Sequence, residues 1–174
     1  MASEAIATLR QQDAFPGAGG LPAPNIATNL GQGLGFPAGM PAPFTAQVCA
    51  AYFQFYVPAA IGLATGMTVN LVLVDDLANP GAGLKATFDV QFAFVGSTTT
   101  ELDTAFSGTN DSAQVTMPAT SGQLKTQSIA AINAHMAGSV AASSWVLLRV
   151  RRNPASSDTH TGRIILRAAY VMNT

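Results

Sequence analysis

The chain has 174 residues, of which 48% are hydrophobic and only 10% are charged, and its formal net charge is -1. A typical soluble domain carries about 25% charged residues, so much of this surface must be uncharged, which predicts a subunit whose surface is covered by neighbours. So small a net charge creates no long-range field for nucleic acid or an anionic membrane, and no apolar run reaches the roughly 18 residues of a membrane span.

The N-terminal segment MASEAIATLRQQ lacks the basic start and the apolar block of a secretory signal. We expect the protein to be made in a cytoplasm and not to be addressed to a membrane. Good helix formers between Ala2 and Gln12 favour one short helix there.

Residues 1–45 are predicted to form an extended arm, because Phe15–Pro43 holds six of the ten prolines and seven of the sixteen glycines. Glycine resists ordering and proline excludes a regular helix or central strand. Large apolar side chains recur along the arm as candidate anchors: Phe15, Leu21, Ile26, Leu30, Leu34, Phe36, Met40 and Phe44. Ordering about 30 residues costs on the order of 30 to 60 kcal/mol of backbone entropy, which favours an arm draped over a partner. The alternative is an arm that lies along its own domain.

Residues 46–174 are predicted to form a β domain, because short alternating or β-branched runs are divided by Gly, Pro, Asn and Asp. In ATFDVQFAFV, Phe88, Val90 and Phe92 share one face by the two-residue period, which identifies a core face. The predicted strands are Cys49–Val57, Met67–Asp75, Lys85–Val95, Ala113–Met117, Gln123–Ala130, Trp145–Arg151 and Arg163–Met172, with Leu102–Phe106 as an eighth candidate. The segment Ser128–Gly138 could instead carry a short helix. Without helical crossovers, these strands predict an all-β antiparallel sandwich of the jelly-roll type.

The segment Ser144–Val171 holds five of the eight basic residues, and its two predicted strands are expected to pair as a hairpin. If their Val and Ile side chains face the core, four arginines share the opposite face: Arg149, Arg151, Arg163 and Arg167. Facing like charges destabilise a strand pair, and the forked donors of arginine suit interfaces, so we predict ion pairs within the sheet or with another subunit. The candidate acids are Asp75, Asp76, Asp89, Glu101 and Asp103. Binding of a phosphate or a glycan is the alternative.

Catalytic, metal-binding and base-stacking patterns are weak. The segment Ser156–His160 holds the residue types of a hydrolase triad, but residues two apart in a loop rarely converge and no G-x-S-x-G elbow is present. His135 has no second ligand at metal spacing, and the single Cys49 forms neither an internal disulfide nor a multi-cysteine zinc site. The aromatics of Tyr52–Tyr56 are interleaved with no basic residue and are predicted to be core. We expect no catalytic residue, cofactor or metal.

Several motifs in the second half of the chain resemble small structural proteins of tailed bacteriophages. The order is VPAAIGLATGMTVNLVLV, a Phe-rich strand, MPATSGQLKTQSIA, and then WVLLRVRRNPASSDTHTGRIILRAAYV. The matching positions are Val57, Pro58, Pro118, Ala119, Thr120, Gly122, Arg149, Arg152, Asp158, Thr159, Gly162 and Tyr170. The resemblance covers about Phe53 to Tyr170 and departs from the family pattern at Asn153-Pro154, Arg163 and Arg167.

The resemblance implies a non-enzymatic virion protein. We expect a homotrimer on the surface of a phage particle that bridges capsomers as a capsid decoration or cement protein and contacts the major capsid protein or another virion protein. A tail-fibre, spike or baseplate adaptor is the first alternative. The second is a carbohydrate-binding module, in which Trp145 and Tyr56 would be exposed platforms.

Overall fold

A computed structural model describes residues 5–10, 14–15, 25–27, 33–36, 50–58, 67–75, 83–94, 111–131, 144–153 and 158–173. In those residues the regular structure is entirely β. The strands are β1 (Ala5–Arg10), β2 (Ala14–Phe15), β3 (Asn25–Ala27), β4 (Gly33–Phe36), β5 (Ala50–Val57), β6 (Met67–Asp75), β7 (Lys85–Phe94), β8 (Asp111–Thr116), β9 (Leu124–Ala131), β10 (Ser144–Arg152) and β11 (Ile164–Asn173). No helix in this part of the chain is long and apolar enough to cross a membrane.

The strands form two antiparallel sheets. Sheet A has the order β3-β4-β11-β6-β9, with β1 also pairing with β11, and sheet B has the order β2-β5-β10-β7-β8. The chain passes repeatedly from one sheet to the other, so that β4-β11-β6-β9 faces β5-β10-β7-β8, which is the strand order of an eight-stranded jelly roll. The predicted all-β jelly-roll sandwich is confirmed.

The seven strands predicted for residues 46–174 are all present, each within two residues of its predicted ends. The candidate strand Leu102–Phe106 lies outside the described residues, and the alternative helix from Ser128 is wrong for its first four residues, which belong to β9.

The predicted hairpin between the last two strands is wrong. The strand β10 pairs with β5 and β7 in sheet B, whereas β11 pairs with β1, β4 and β6 in sheet A. Alternating apolar residues mark a strand with one core face, and both sheets of a sandwich offer that environment. The segment after Arg152 therefore crosses from one sheet to the other instead of turning back in the same sheet.

The core lies between the two sheets and is built from alternate residues of the long strands. Phe88, Val90 and Phe92 of β7 are buried in it as predicted, and Phe92 packs edge-on against Phe55 of β5 with ring centroids 6.1 Å apart. The opposite side of β7 is also buried at Thr87, Asp89 and Gln91, so the middle of sheet B is covered on both faces.

A bulge divides β11 into two halves. The pairing register with β6 shifts between Leu166 and Ala168, which leaves Arg167 as the extra residue. Because of this residue, the core positions change from Ile164 and Leu166 to Ala169 and Val171. A strict two-residue alternation over the whole of β11 therefore identifies the core-facing residues of only one of its halves.

The described parts of the arm belong to the chain's own sheets. The helix predicted for Ala2–Gln12 is wrong over Ala5–Arg10, which forms β1, pairs with β11 and places Leu9 in the core. Packing against the sandwich outweighs the modest helix propensity of AIATLR. Strand β2 pairs with β5, and β4 pairs with β11 and β3.

Four of the predicted arm anchors lie on these short strands: Phe15 on β2, Ile26 on β3, and Leu34 and Phe36 on β4. The other four lie outside the described residues: Leu21, Leu30, Met40 and Phe44. The pairing of the arm strands matches the alternative in which the arm lies along its own domain. Contact between the anchors and a partner stays a prediction.

Candidate functional site

A buried ion pair lies at the point where the chain leaves sheet B. The guanidinium of Arg152, the last residue of β10, donates from Nε and Nη2 to the two carboxylate oxygens of Asp158, each at 2.9 Å. Both side chains are buried. A two-pronged contact of this kind fixes the orientation of the carboxylate as well as its distance.

The same guanidinium holds the backbone of the crossover that leads to β11. Arg152 Nη1 donates to the Gly162 carbonyl at 2.6 Å, and Nη2 donates to the His160 carbonyl. Asp158 in turn accepts from the His160 N–H at 3.1 Å. One arginine thus supplies the donors that shape residues 158–162, using the fixed fork of its five N–H groups.

His160 connects this cluster to sheet A. Its Nε2 lies 2.7 Å from Oδ2 of Asp75, at the end of β6, and neither side chain is exposed. The Gly162 N–H donates to His160 Nδ1 at 3.2 Å. The Gly162 carbonyl oxygen lies at the same distance from Nδ1, so both ring nitrogens of His160 have polar partners.

The backbone carbonyl of Asp75 also accepts hydrogen bonds from the turn that precedes β9. The Gly122 N–H and the Ser121 hydroxyl both donate to the Asp75 carbonyl, at 3.2 and 3.4 Å. Gly122 has φ +81°, a backbone conformation that favours glycine. The two motifs PATSG and DTHTG, which are about 40 residues apart, therefore meet at one residue of β6.

The crossover is also hydrogen-bonded to the start of β7. The N–H groups of Thr159 and His160 donate to the Lys85 carbonyl at 2.8 and 2.9 Å, and the Lys85 N–H donates to Thr159 Oγ1 at 3.1 Å. We call Asp75, Arg152, Asp158 and His160 the crossover cluster. It joins β6, β7 and β10 to the segment that enters β11.

The crossover cluster has the residue types of an acid–base site but is closed to solvent. The His160 imidazole contacts Asp75 and not Asp158, and Ser156 and Ser157 lie outside the described residues, as does His135. The described residues contain no group of three or more His, Cys, Asp or Glu side chains arranged to hold a metal. These side chains are at most 4% exposed, and their mutual bonds hold the backbone of the crossover in place.

The predicted arginine face is divided between the two sheets. Arg149 and Arg151 lie on β10 in sheet B, whereas Arg163 and Arg167 lie at the start of β11 and at its bulge in sheet A. The four therefore do not share one face, because the hairpin that would have brought them together does not form. Arg163 and Arg167 are half-buried and engaged by other groups of the chain.

Arg151 forms an ion pair with an acid of the adjacent strand. Its Nη2 and Nε lie 2.8 and 2.9 Å from Asp89 Oδ2, which also accepts from Asn153 Nδ2 at 2.9 Å. Asp89 was one of the candidate acids, and so was Asp75, which pairs with His160. Asp76, Glu101 and Asp103 lie outside the described residues.

Arg149 lies in the middle of sheet B, where it bonds to Gln91 on β7 and to Tyr52 on β5. Burial lowers the pKa of its guanidinium from the usual value, and the neighbouring Arg151 charge lowers it further. Two buried polar atoms beside these arginines, Asp89 Oδ1 and Gln91 Nε2, have no hydrogen-bond partner among the described residues. Such atoms are commonly satisfied by ordered water.

Tyr56 and Trp145 form an exposed aromatic pair at one end of sheet B. They are directly opposite each other on β5 and β10, and their ring centroids are 5.5 Å apart with 62° between the planes. Tyr56 is 44% exposed and Trp145 is 51% exposed. The prediction that all aromatics of Tyr52–Tyr56 are core is therefore wrong for Tyr56, which points away from the core that contains Phe53 and Phe55.

The outward side of sheet A carries few charges. Register and burial place thirteen residues on this side, which we call the outer face of sheet A: Thr8, Arg10, Thr68, Asn70, Val72, Leu124, Thr126, Ser128, Ala130, Arg167, Ala168, Tyr170 and Met172. Arg10 and Arg167 are the two charged residues among them. All thirteen are exposed or half-buried, and Ser128 donates its hydroxyl hydrogen to Asn70 Oδ1 across β9 and β6.

The crossover cluster was missed by analysis of sequence spacing because its members come from distant segments. Arg152, Asp158 and Gly162 did appear among the family-like positions. Charged residues are rare in this chain, so a charged residue next to an apolar strand was the one sequence signal for a buried ion pair. Nothing in the sequence joined Asp75 to His160, which are 85 residues apart.

Comparison with known proteins gives likenesses of fold only. No protein-family model and no curated protein matches this chain. Among solved structures, the chain is similar to the CBM22-1 and GH10 modules of Clostridium thermocellum endo-1,4-β-D-xylanase 10B, complexed with xylohexaose. The identity is 11% and the TM-score 0.44, over 97% of this chain and 28% of that chain.

Two further solved structures are similar to this chain at comparable identity and TM-score. The Agl-KA catalytic domain is 10% identical with a TM-score of 0.46, over 97% of this chain and 27% of that chain. The K3 adhesin domain of Lys-gingipain from Porphyromonas gingivalis W83 is 11% identical with a TM-score of 0.44, over 97% of this chain and 98% of that domain. The chain thus spans little more than a quarter of the first two proteins.

Proposed function

We propose that this protein is a structural subunit of a tailed-phage particle, a homotrimeric decoration or cement protein that stabilises the head by bridging capsomers. The observation that carries the proposal is the outer face of sheet A, which is solvent-accessible and has no charged residue on β6 and β9. Protein surfaces in free solution usually carry interspersed charge. A face with hydroxyl, amide and small apolar side chains suits contact with another protein.

The lack of charge suits a contact between identical copies in particular. Around a three-fold axis, equivalent residues of the three copies approach one another, so charged residues near the axis would repel their own counterparts. Thr126, Ser128 and Tyr170 can approach their equivalents without such a penalty. Arg10 on β1 is separated from β9 by β11 and β6, and Arg167 lies on β11, so the outward residues of β6 and β9 are uncharged.

The crossover cluster supports a mechanical role for the domain. It ties the segment entering β11 to β6, β7 and β10 through buried, charge-assisted bonds. Such bonds resist separation of the two sheets, which is useful to a subunit that transmits load within a shell. The arm adds β1 and β4 to the edge of β11 and β2 to the edge of β5, which leaves fewer open strand edges for uncontrolled association.

A tail-fibre, spike or baseplate adaptor is the alternative within the same class, and copy number distinguishes the two. We expect quantitative mass spectrometry of purified particles to find this chain at hundreds of copies per particle, and immunogold labelling to place it on the head. A few copies at the tail would support the adaptor. Complete absence from purified particles would overturn the proposal.

A further inference from the structure

The exposed pair of Tyr56 and Trp145 differs from the rest of sheet B. Further along the same face, Leu147 of β10 and Ala93 of β7 are buried, as is Tyr52 of β5. The pair therefore stands at the point where this face becomes open to solvent. Two large aromatic side chains left about half exposed next to each other in a well-packed sheet need an explanation, because such patches commonly mark binding sites.

The two rings form a corner that suits a small, flat and partly apolar ligand. With 62° between planes and 5.5 Å between centroids, one ring can support the face of a ligand while the other closes its side. The neighbouring Gln54, which is exposed on the same face of β5, supplies an amide with donors and an acceptor. The tyrosine hydroxyl and the indole N–H add polar groups at the ring edges.

The described residues beside the pair carry no charge that would favour an ionic ligand. On β5 and β10, the described residue closest to Trp145 with a charge is Arg149, four positions away, and its guanidinium is bonded to Gln91 and Tyr52. Within the described residues no carboxylate lies beside the rings to favour a cation. A sugar ring fits this chemistry, since its C–H face packs on an aromatic ring while its hydroxyl rim bonds to amides and hydroxyls.

The exposed area is too small for a protein partner. Aromatic side chains bury about 150–250 Å² each when fully covered, so two half-exposed rings offer roughly 200 Å², compared with about 800 Å² per partner in a standard protein interface. A monosaccharide or disaccharide unit is of the matching size.

We propose that Tyr56 and Trp145 form a stacking site for a neutral saccharide, with Gln54 as its polar contact. This inference goes beyond the structural role proposed above and does not depend on it. On a particle with many copies of the subunit, weak individual sites would act together and give strong attachment to a glycan-covered surface.

The test uses the intrinsic fluorescence of the full chain, because Trp145 is its single tryptophan. We expect titration with cellohexaose, maltohexaose or chitohexaose to change the Trp145 emission saturably for at least one of these probes, with a glycan array extending the search. Isothermal titration calorimetry should then show that Trp145→Ala abolishes binding, that Tyr56→Ala weakens it about tenfold or more, and that Trp145→Phe restores part of it.

Thr116→Ala is the control, because it removes an exposed side chain on β8, which lies outside both the aromatic pair and the outer face of sheet A, and it should leave saccharide binding unchanged. Circular dichroism of each variant checks that the fold is intact. The proposal is overturned if no neutral glycan on the array binds at millimolar concentration, or if Trp145→Ala binds as the wild type does. A change of oligomeric mass in Trp145→Ala without any saccharide binding would also overturn it, since the pair would then be a protein contact.

Discussion

His160 Nε2 lies 2.7 Å from Asp75 Oδ2, and both side chains are completely buried. Replacing His160 with Leu should leave the Asp75 carboxylate without this donor and lower the free energy of unfolding by about 1–3 kcal/mol. The effect of His160→Leu should be smaller when Asp75 is already Asn, with a coupling energy of about 0.5–3 kcal/mol between the two positions. Urea denaturation of the two single variants and the double variant measures this coupling, and additive effects would contradict the contact.

Arg152 should be the most sensitive residue of the crossover cluster. Arg152→Lys keeps the charge but loses the fork that holds Asp158 and the carbonyls of His160 and Gly162. Because a single ammonium cannot reach both Asp158 oxygens and the two carbonyls, buried acceptors lose their donors, and we expect a loss of about 1–3 kcal/mol in the free energy of unfolding for each acceptor left unsatisfied. The control is Arg10→Lys at an exposed position on β1, which should change the stability by less than about 0.5 kcal/mol. Equal effects in the two variants would show that the fork is unimportant.

Leu9 tests whether the arm is an integral part of the sandwich. It is 4% exposed and packs in the core, whereas Leu124 on β9 is 66% exposed. Leu9→Ala should therefore lower the free energy of unfolding by about 2–5 kcal/mol, and Leu124→Ala should have little effect. If Leu9→Ala unfolds in urea at the same midpoint as the wild type, strand β1 does not pack as described.

The sequence predicted the fold well because alternation of apolar residues is a local property. Strand β6 begins and ends at the predicted residues, Met67 and Asp75, since each alternate side chain of this segment enters the core. Strand pairing is not local, and for that reason the hairpin prediction was wrong. Val146 and Leu166 carry the same alternating signal whether their strands share a sheet or face each other across the core.

The sites were less predictable than the fold. Asp75 and His160 are brought together only by the closure of the two sheets, and no spacing rule relates positions 85 apart. Strand β1 shows the same limit at the level of secondary structure. Its own sequence favours a helix, but the segment forms a strand that buries Leu9 in the core. Trp145 and Tyr56 were identified as alternative platforms, and their mutual contact depends on the register between β5 and β10.

The outer face of sheet A should tolerate no new charge if it contacts other copies. Thr126→Glu places a carboxylate on the exposed side of β9 within this face. We expect the oligomer to dissociate at least tenfold more readily, which gel filtration over a range of concentrations would detect. Thr116→Glu is the matched control, since Thr116 is exposed on β8 of the other sheet. Identical elution of both variants and the wild type would remove this face from the interface.

The oligomeric mass of the chain in solution is the decisive measurement for the proposal that this protein works as an assembled subunit. Sedimentation equilibrium of the full 174-residue protein should give about three times the 17.8 kDa chain mass, because three copies are proposed to contact one another through the outer face of sheet A. A mass of one chain at every concentration, unaltered by Thr126→Glu, would contradict the claim that this domain works as an assembled subunit.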